Sequence, residues 1–278
     1  MIKKTTIFLS FLFCMQTLSQ SASAMTLFGS KKDKKETTKS VQSDYNKLVG
    51  RDTMAIKGLM GVIQKENDYY LEIPKTLIGR EILVSNKFLQ VPQELNEAGV
   101  NKGINYENKT IKFEWEKGLN KLNIREQRLT PEVYSFYAMA PSVKDNYINP
   151  LIASLKIEGV SKDSASVVVK VTNLFNGKDE CLNDVFNLIN LGTSANSELS
   201  RILSMKAFDN NVAATSELTT VVHEGKSKTN ITIVVSTSLI LLPSRPMMGR
   251  LENQRVGYFT TSRLHYGDNQ PEVATKNY

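Results

Sequence analysis

A chain of 278 residues with 41% hydrophobic content is long enough for one large domain or two small ones with a real core, which excludes global disorder. Of its net charge of +7, Lys3 and Lys4 supply two, and Lys31, Lys32, Lys34, Lys35 and Lys39 against Asp33 and Glu36 supply a net three, which leaves +2 for residues 41–278. The basic balance belongs to a tail and not to a face of the folded body, so a nucleic-acid footprint is excluded.

Lys3 and Lys4 precede an apolar run over residues 7–15, and Ala22-Ser23-Ala24 places small residues where a signal peptidase reads them. Residues 1–24 are expected to be a signal peptide cleaved near Ala24, which exports the protein to the periplasm or beyond. The run is about half of the ~20 residues that span a bilayer, and Phe13 stands where a lipobox before Cys14 wants a small residue. No later stretch is long and apolar enough to span, so no membrane span is expected. Residues 25–43, rich in Lys, Thr, Ser and Asp, read as a disordered linker. Once Cys14 leaves with the leader, Cys181 is alone, and stability must come from burial without an internal disulfide.

Order is expected to begin near Asp44, with a short helix at Tyr45, Leu48 and Val49. Residues 69–74 and 81–85 read as paired strands, and the connection from Pro74 to Gly79 is of hairpin length. The segment 44–88 is therefore expected to be a small leading module of a helix plus a hairpin, followed by a β-rich accessory domain at 89–278. Over 111–116, strict alternation turns Ile111, Phe113 and Trp115 inward and Lys112, Glu114 and Glu116 outward. Residues 131–150 hold Pro131, Pro141, Pro150 and several tyrosines, which predicts an irregular cover giving aromatic side chains to the core. Residues 166–172 form a nearly continuous apolar run, suited to a central strand. In 179–207, Leu182, Val185, Phe186 and Ile189 lie at helical spacing, Gly192 supplies a stop and Ser197 a second start, so this is the one zone read as helical. Residues 217–223 and 231–242 follow as strands around a polar loop, with Ile231, Ile233, Val235 and Leu239 on one face. The expected fold is β-rich α+β, with antiparallel sandwich-like sheets and two or three helices.

The stretch after this last strand is the hardest to explain by packing. Leu242-Pro243-x-x-Pro246-Met247-x-x-Arg250, then Asn253-x-Arg255-Val256-Gly257-Tyr258-Phe259, makes a stiff cationic loop. The two blocks resemble the pattern LPxxPMxxR…DxRVGYF of large secreted bacterial zinc-dependent metalloproteases. Ile73, Pro74, Leu77, Gly79 and Arg80 match a small leading module of the same proteins, so the resemblance covers most of 45–278. In that family the second block closes a non-catalytic module of unknown function that precedes the protease domain. The resemblance implies a non-catalytic N-terminal accessory region, truncated before the catalytic domain. Its expected partner is the protease catalytic domain, in cis or from a split gene, on which it docks or whose folding it assists. Arg250 and Arg255, able to grip carboxylates or carbonyls bidentately, and the aromatic anchors Tyr258 and Phe259 are the candidate interdomain docking residues. The competing reading is that they satisfy backbone and acids within their own domain. Asn253 stands where the pattern has an acid, which weakens a salt bridge at that spot.

No catalytic, cofactor-binding or metal-binding residue is assigned. A zincin needs two histidines one helical turn apart with a glutamate between them, so that both imidazoles reach one ion and the carboxylate reaches its water. His223-Glu224 begins such a motif, but Ser227 stands at the second position and His265 is far away. No glycine loop precedes Lys-Ser/Thr, and no serine sits in a nucleophile elbow. The alternative function is a stand-alone exported β-sandwich module that binds peptide or glycan. It predicts an exposed aromatic patch, whereas the accessory reading predicts an exposed apolar or cationic surface around 250–259.

Overall fold

The computed structural model describes Tyr45, Leu48 and residues 54–277, apart from 162, 178–180, 192, 225–226, 249, 252–254, 256–260 and 267–270. The expected signal peptide and linker lie outside the described residues. The strands, in chain order, are β1 (Met54–Ile56), β2 (Gly61–Lys65), β3 (Asp68–Pro74), β4 (Glu81–Gln90), β5 (Asn105–Glu116), β6 (Lys121–Gln127), β7 (Glu132–Val133), β8 (Leu151–Val160), β9 (Ser166–Lys170), β10 (Arg201–Ala207), β11 (Asn211–Glu224), β12 (Ser227–Leu241), β13 (Arg250–Leu251), β14 (Thr261–Tyr266) and β15 (Pro271–Asn277). Two short helices, α1 (Gln93–Glu97) and α2 (Ala140–Asn146), lie between strands, and Tyr45 and Leu48 are helical as expected.

Eleven strands form one antiparallel sheet in the order β1-β2-β3-β9-β8-β6-β5-β4-β12-β11-β10, and a second sheet runs β13-β15-β14-β7. The large sheet curls until its ends nearly meet, and the Leu59 N–H donates to the Phe208 carbonyl across the seam at 2.7 Å. Gly58 permits that approach, because a Cβ there would stand 2.6 Å from the Phe208 oxygen. The β-rich antiparallel character is as expected, but the main sheet is nearly closed into a barrel and not clearly a sandwich. The alternation over 111–116 is also as expected: Ile111 and Phe113 are buried in β5, opposite β6, and Lys75 Nζ lies 4.7 Å from the ring centre of half-buried Trp115. Ile233, Val235 and Leu239 of β12 are all buried.

Three expectations are corrected. First, β3 and β4 do not pair: β3 lies between β2 and β9, and β4 between β5 and β12. The connecting residues cross from one side of the barrel to the other, with the Lys75 N–H donating to Ala165 and the Gly79 N–H to Phe113. Leu77 is buried beneath this crossover, and that anchoring replaces the hairpin turn. Second, 179–207 is not helical among its described residues. Cys181, Leu182, Asn183, Val185 and Phe186 form a buried plug, and β10 occupies 201–207. The helical spacing misleads because these side chains are covered from several directions, and the plug is tied down by side-chain and turn bonds: Asn86 Nδ2 donates to Leu182 O at 2.8 Å, Asn183 Nδ2 to Phe175 O at 2.9 Å, and the Ile189 and Leu191 N–H groups to Val185 O and Phe186 O. Third, 131–150 does not contribute aromatic rings to the core, since Tyr134, Phe136 and Tyr147 are exposed.

The plug joins two apolar clusters. Leu174, Phe175 and Leu182 pack with Ile82, Val84, Ile111 and Leu239, whereas Val185 and Phe186 pack with Phe88, Leu218, Ile233 and Val235. Between them β4 and β12 place Asn86 opposite Thr237, both fully buried, and Ser216 on β11 is fully buried as well.

Candidate functional site

The rim of the barrel at the start of β4 gathers the two segments that carry the sequence motifs. Pro74 ends β3, Ile73 and Leu77 are buried, and Gly79 turns the chain at φ +78°, a conformation open to glycine without strain. Arg80 then clamps the end of β12: its Nη2 donates to the Leu242 carbonyl at 2.9 Å, and the Leu242 N–H donates to Glu81 O at 3.1 Å. Lys112 on the neighbouring β5 pairs with Glu81 at 3.1 Å. Around this clamp lies a cavity of about 590 Å³ lined by Gly79, Arg80, Glu81, Lys112, Leu242, Pro243, Ser244, Pro246 and Met247.

Beyond the clamp the chain turns outward. Residues 243–248 are all exposed, with Met247 at 66% and Met248 at 86%. The loop is thus held firmly at its root, stiffened by two prolines, and offers Arg245 and two thioether side chains to solvent. Of the candidate docking residues, Arg250 opens β13, where its backbone pairs with Asn277, and Arg255 is exposed in a turn. Tyr258 and Phe259 lie outside the described residues, as does Asn253.

A second concave surface went unrecognised in the sequence. Tyr134 stacks on Phe136 with centroids 5.4 Å apart and an interplanar angle of 7°, and meets His265 of β14 edge-on at 4.9 Å. Beside these rings is a cavity of about 640 Å³ lined by residues 130–135 together with Ala140, Val143, Lys144, Tyr147, Asn149 and His265. Its walls are largely apolar, with Glu132 and Lys144 as its charges. A hydrogen bond with Tyr266 raises the Tyr147 phenol above its ordinary pKa. The prolines and tyrosines of 131–150 were visible in the sequence, but without a period their exposure was not.

Elsewhere the chemistry is quiet. Burial pushes the Cys181 thiol up to about 12, which keeps it protonated and unreactive at neutral pH. His223 sits near the end of β11 and His265 in the other sheet. Among the described residues no group of three or more His, Cys, Asp and Glu is placed to share a metal ion, and no helix is long and apolar enough to cross a membrane.

A family model described as a domain of unknown function, DUF5117, matches residues 103–278. The chain belongs to the DUF5117 family. A second model, also a domain of unknown function and described as DUF5118, matches residues 42–91. Neither description names an activity, and no curated protein and no solved structure matches the chain. The two matched segments are interleaved in space: β4 of the DUF5118 segment lies between β5 and β12 of the DUF5117 segment. The Arg80 clamp on Leu242 is therefore a contact between the two, and the exposed loop springs from their junction.

Proposed function

We propose that this DUF5117 protein is a non-catalytic accessory module of an exported zinc-dependent metalloprotease, and that it docks on the catalytic domain through the loop at 243–248 and the neighbouring Arg250 and Arg255. The observation that carries the reading is the contrast within a few residues. Leu242 is pinned through both its carbonyl and its N–H, while Pro243 to Met248 stand out from the surface with apolar and cationic side chains uncovered. A loop whose conformation is fixed in advance loses little entropy on binding, and flexible thioethers adapt to a partner's surface. On this reading the chemistry belongs to the partner.

The first test is genomic and the second biochemical. The DNA around the codon for Tyr278 is read in all forward frames for a domain carrying His-Glu-x-x-His, and that domain is produced and mixed with this chain. Binding that weakens at least tenfold in a Met247→Ser/Met248→Ser chain supports the proposal. Absence of such a domain, or binding indifferent to the loop, overturns it.

The aromatic cavity favours a second reading, a binding module for an extended peptide. Phe136 is 76% exposed with one ring face on Tyr134, and aromatic-walled grooves suit extended or proline-bearing chains. This reading is tested by a peptide library screened on the chain and on its Tyr134→Ser variant, since Tyr134 lines the cavity. Hits retained by the variant would remove the groove from consideration.

A further inference from the structure

The loop assigned to docking carries two thioethers on its outside. Met247 and Met248 are 66% and 86% exposed, while Met60 and Met205 in the core are 0% and 4% exposed. A dissolved two-electron oxidant converts a thioether only where it reaches the sulfur, and the sulfoxide it forms is polar, with an oxygen that accepts hydrogen bonds. Met54 at the start of β1 is exposed as well, at 64%, but it lies outside the loop, and Met247 and Met248 differ from each other in what lies beside them. Met247 lines the rim cavity together with Arg80, Lys112 and Ser244. A guanidinium carries five N–H donors and an ammonium three; Arg80 directs one to Leu242 O, and Lys112 pairs with Glu81. Pro243 and Pro246 restrict the backbone, which keeps Met247 at the edge of the cavity that these donors line.

We propose that Met247 is a redox-modification site, with peroxide as the oxidant and the barrel rim as the receptor for the product. One peroxide oxygen is transferred to Met247 Sδ: the O–O bond breaks, an S–O bond forms, the sulfur loses two electrons, and the other oxygen leaves as water. The sulfoxide oxygen then accepts from the cationic cluster of Arg80 and Lys112, which draws the loop onto the rim. An exposed apolar contact becomes a polar latch, and the docking surface is withdrawn while peroxide persists. The consequence for docking rests on the function proposed above, but the chemistry and the latch do not.

The test uses the full chain carrying Met248→Leu, with a Met247→Leu/Met248→Leu chain as control. Both are treated with limiting hydrogen peroxide, mapped by peptide mass, and followed by amide hydrogen exchange. Met247 is expected to take up oxygen many times faster than Met60 and Met205. Exchange across 244–248 is expected to slow about fivefold, the factor given by one net hydrogen bond, in the first chain and not in the control. Treatment with methionine sulfoxide reductase should restore the original exchange. Oxidation of Met247 no faster than that of the core methionines, or exchange unchanged after Met247 is fully oxidised, overturns the proposal. Slowed exchange in a chain that binds no protease domain leaves the latch standing and removes the docking reading.

Discussion

Two positions make opposite predictions for stability. Thr237 is fully buried and its Oγ1 has no partner among the described residues, so the hydroxyl was desolvated without compensation. Thr237→Val keeps the shape and removes the unpaired group, and is expected to stabilise by about 1 kcal/mol, read as a higher urea midpoint at unchanged slope. Gly58 behaves in the other sense. Any Cβ there meets the Phe208 backbone, so Gly58→Ala is expected to destabilise by about 1–3 kcal/mol through overpacking at the seam, seen as a lower thermal midpoint. Cys181 adds a pH dependence. The folded thiol holds its proton up to about 12, while an unfolded one ionises near 9.0. Between those values the unfolded state binds fewer protons, so stability falls as pH rises from about 9 toward 12. Urea midpoints measured across that range should decline more steeply for the native chain than for Cys181→Ala.

At the scale of elements, the plug is the part that the sequence concealed. The strands declared themselves because alternation is a local property: Ile111, Phe113 and Trp115, or Ile233, Val235 and Leu239, can be assigned to a face without knowing what covers it. Leu182, Val185 and Phe186 match a helical period by coincidence; turn bonds from the Ile189 and Leu191 N–H groups satisfy the Val185 and Phe186 carbonyls, and the Leu182 carbonyl takes the Asn86 amide, from a strand nearly one hundred residues away in sequence. The same limit applies to the candidate site. Arg250 and Arg255 were legible as an unusual cluster, and Arg80 as a motif residue, but the bond from Arg80 to Leu242 joins positions 162 residues apart. The groove at Tyr134 and Phe136 was lost because tyrosines in a proline-rich stretch read equally well as buried cover. Asn86→Ala tests the plug directly. It leaves the Leu182 carbonyl without that donor in a buried site, and is expected to destabilise by about 1–3 kcal/mol, with faster hydrogen exchange confined first to 181–186.

At the scale of the molecule, two family models meet in one sheet. Because β3 pairs with β9 and β4 with both β5 and β12, the segment 42–91 cannot be lifted out without opening the barrel on two sides. A chain beginning at residue 92 is therefore expected to lack a cooperative unfolding transition and to aggregate, as judged by circular dichroism and size-exclusion chromatography. A soluble, cooperatively melting product would show that the longer matched segment folds alone. The order of the strands also sets a timetable during synthesis. Ile82 in β4 is made early, yet its neighbour Leu241 at the end of β12 emerges only after most of the chain. At the usual pace of translation that delay is on the order of ten seconds. Throughout it the nascent chain bears an unpaired strand edge on β4, which only the arrival of β12 covers.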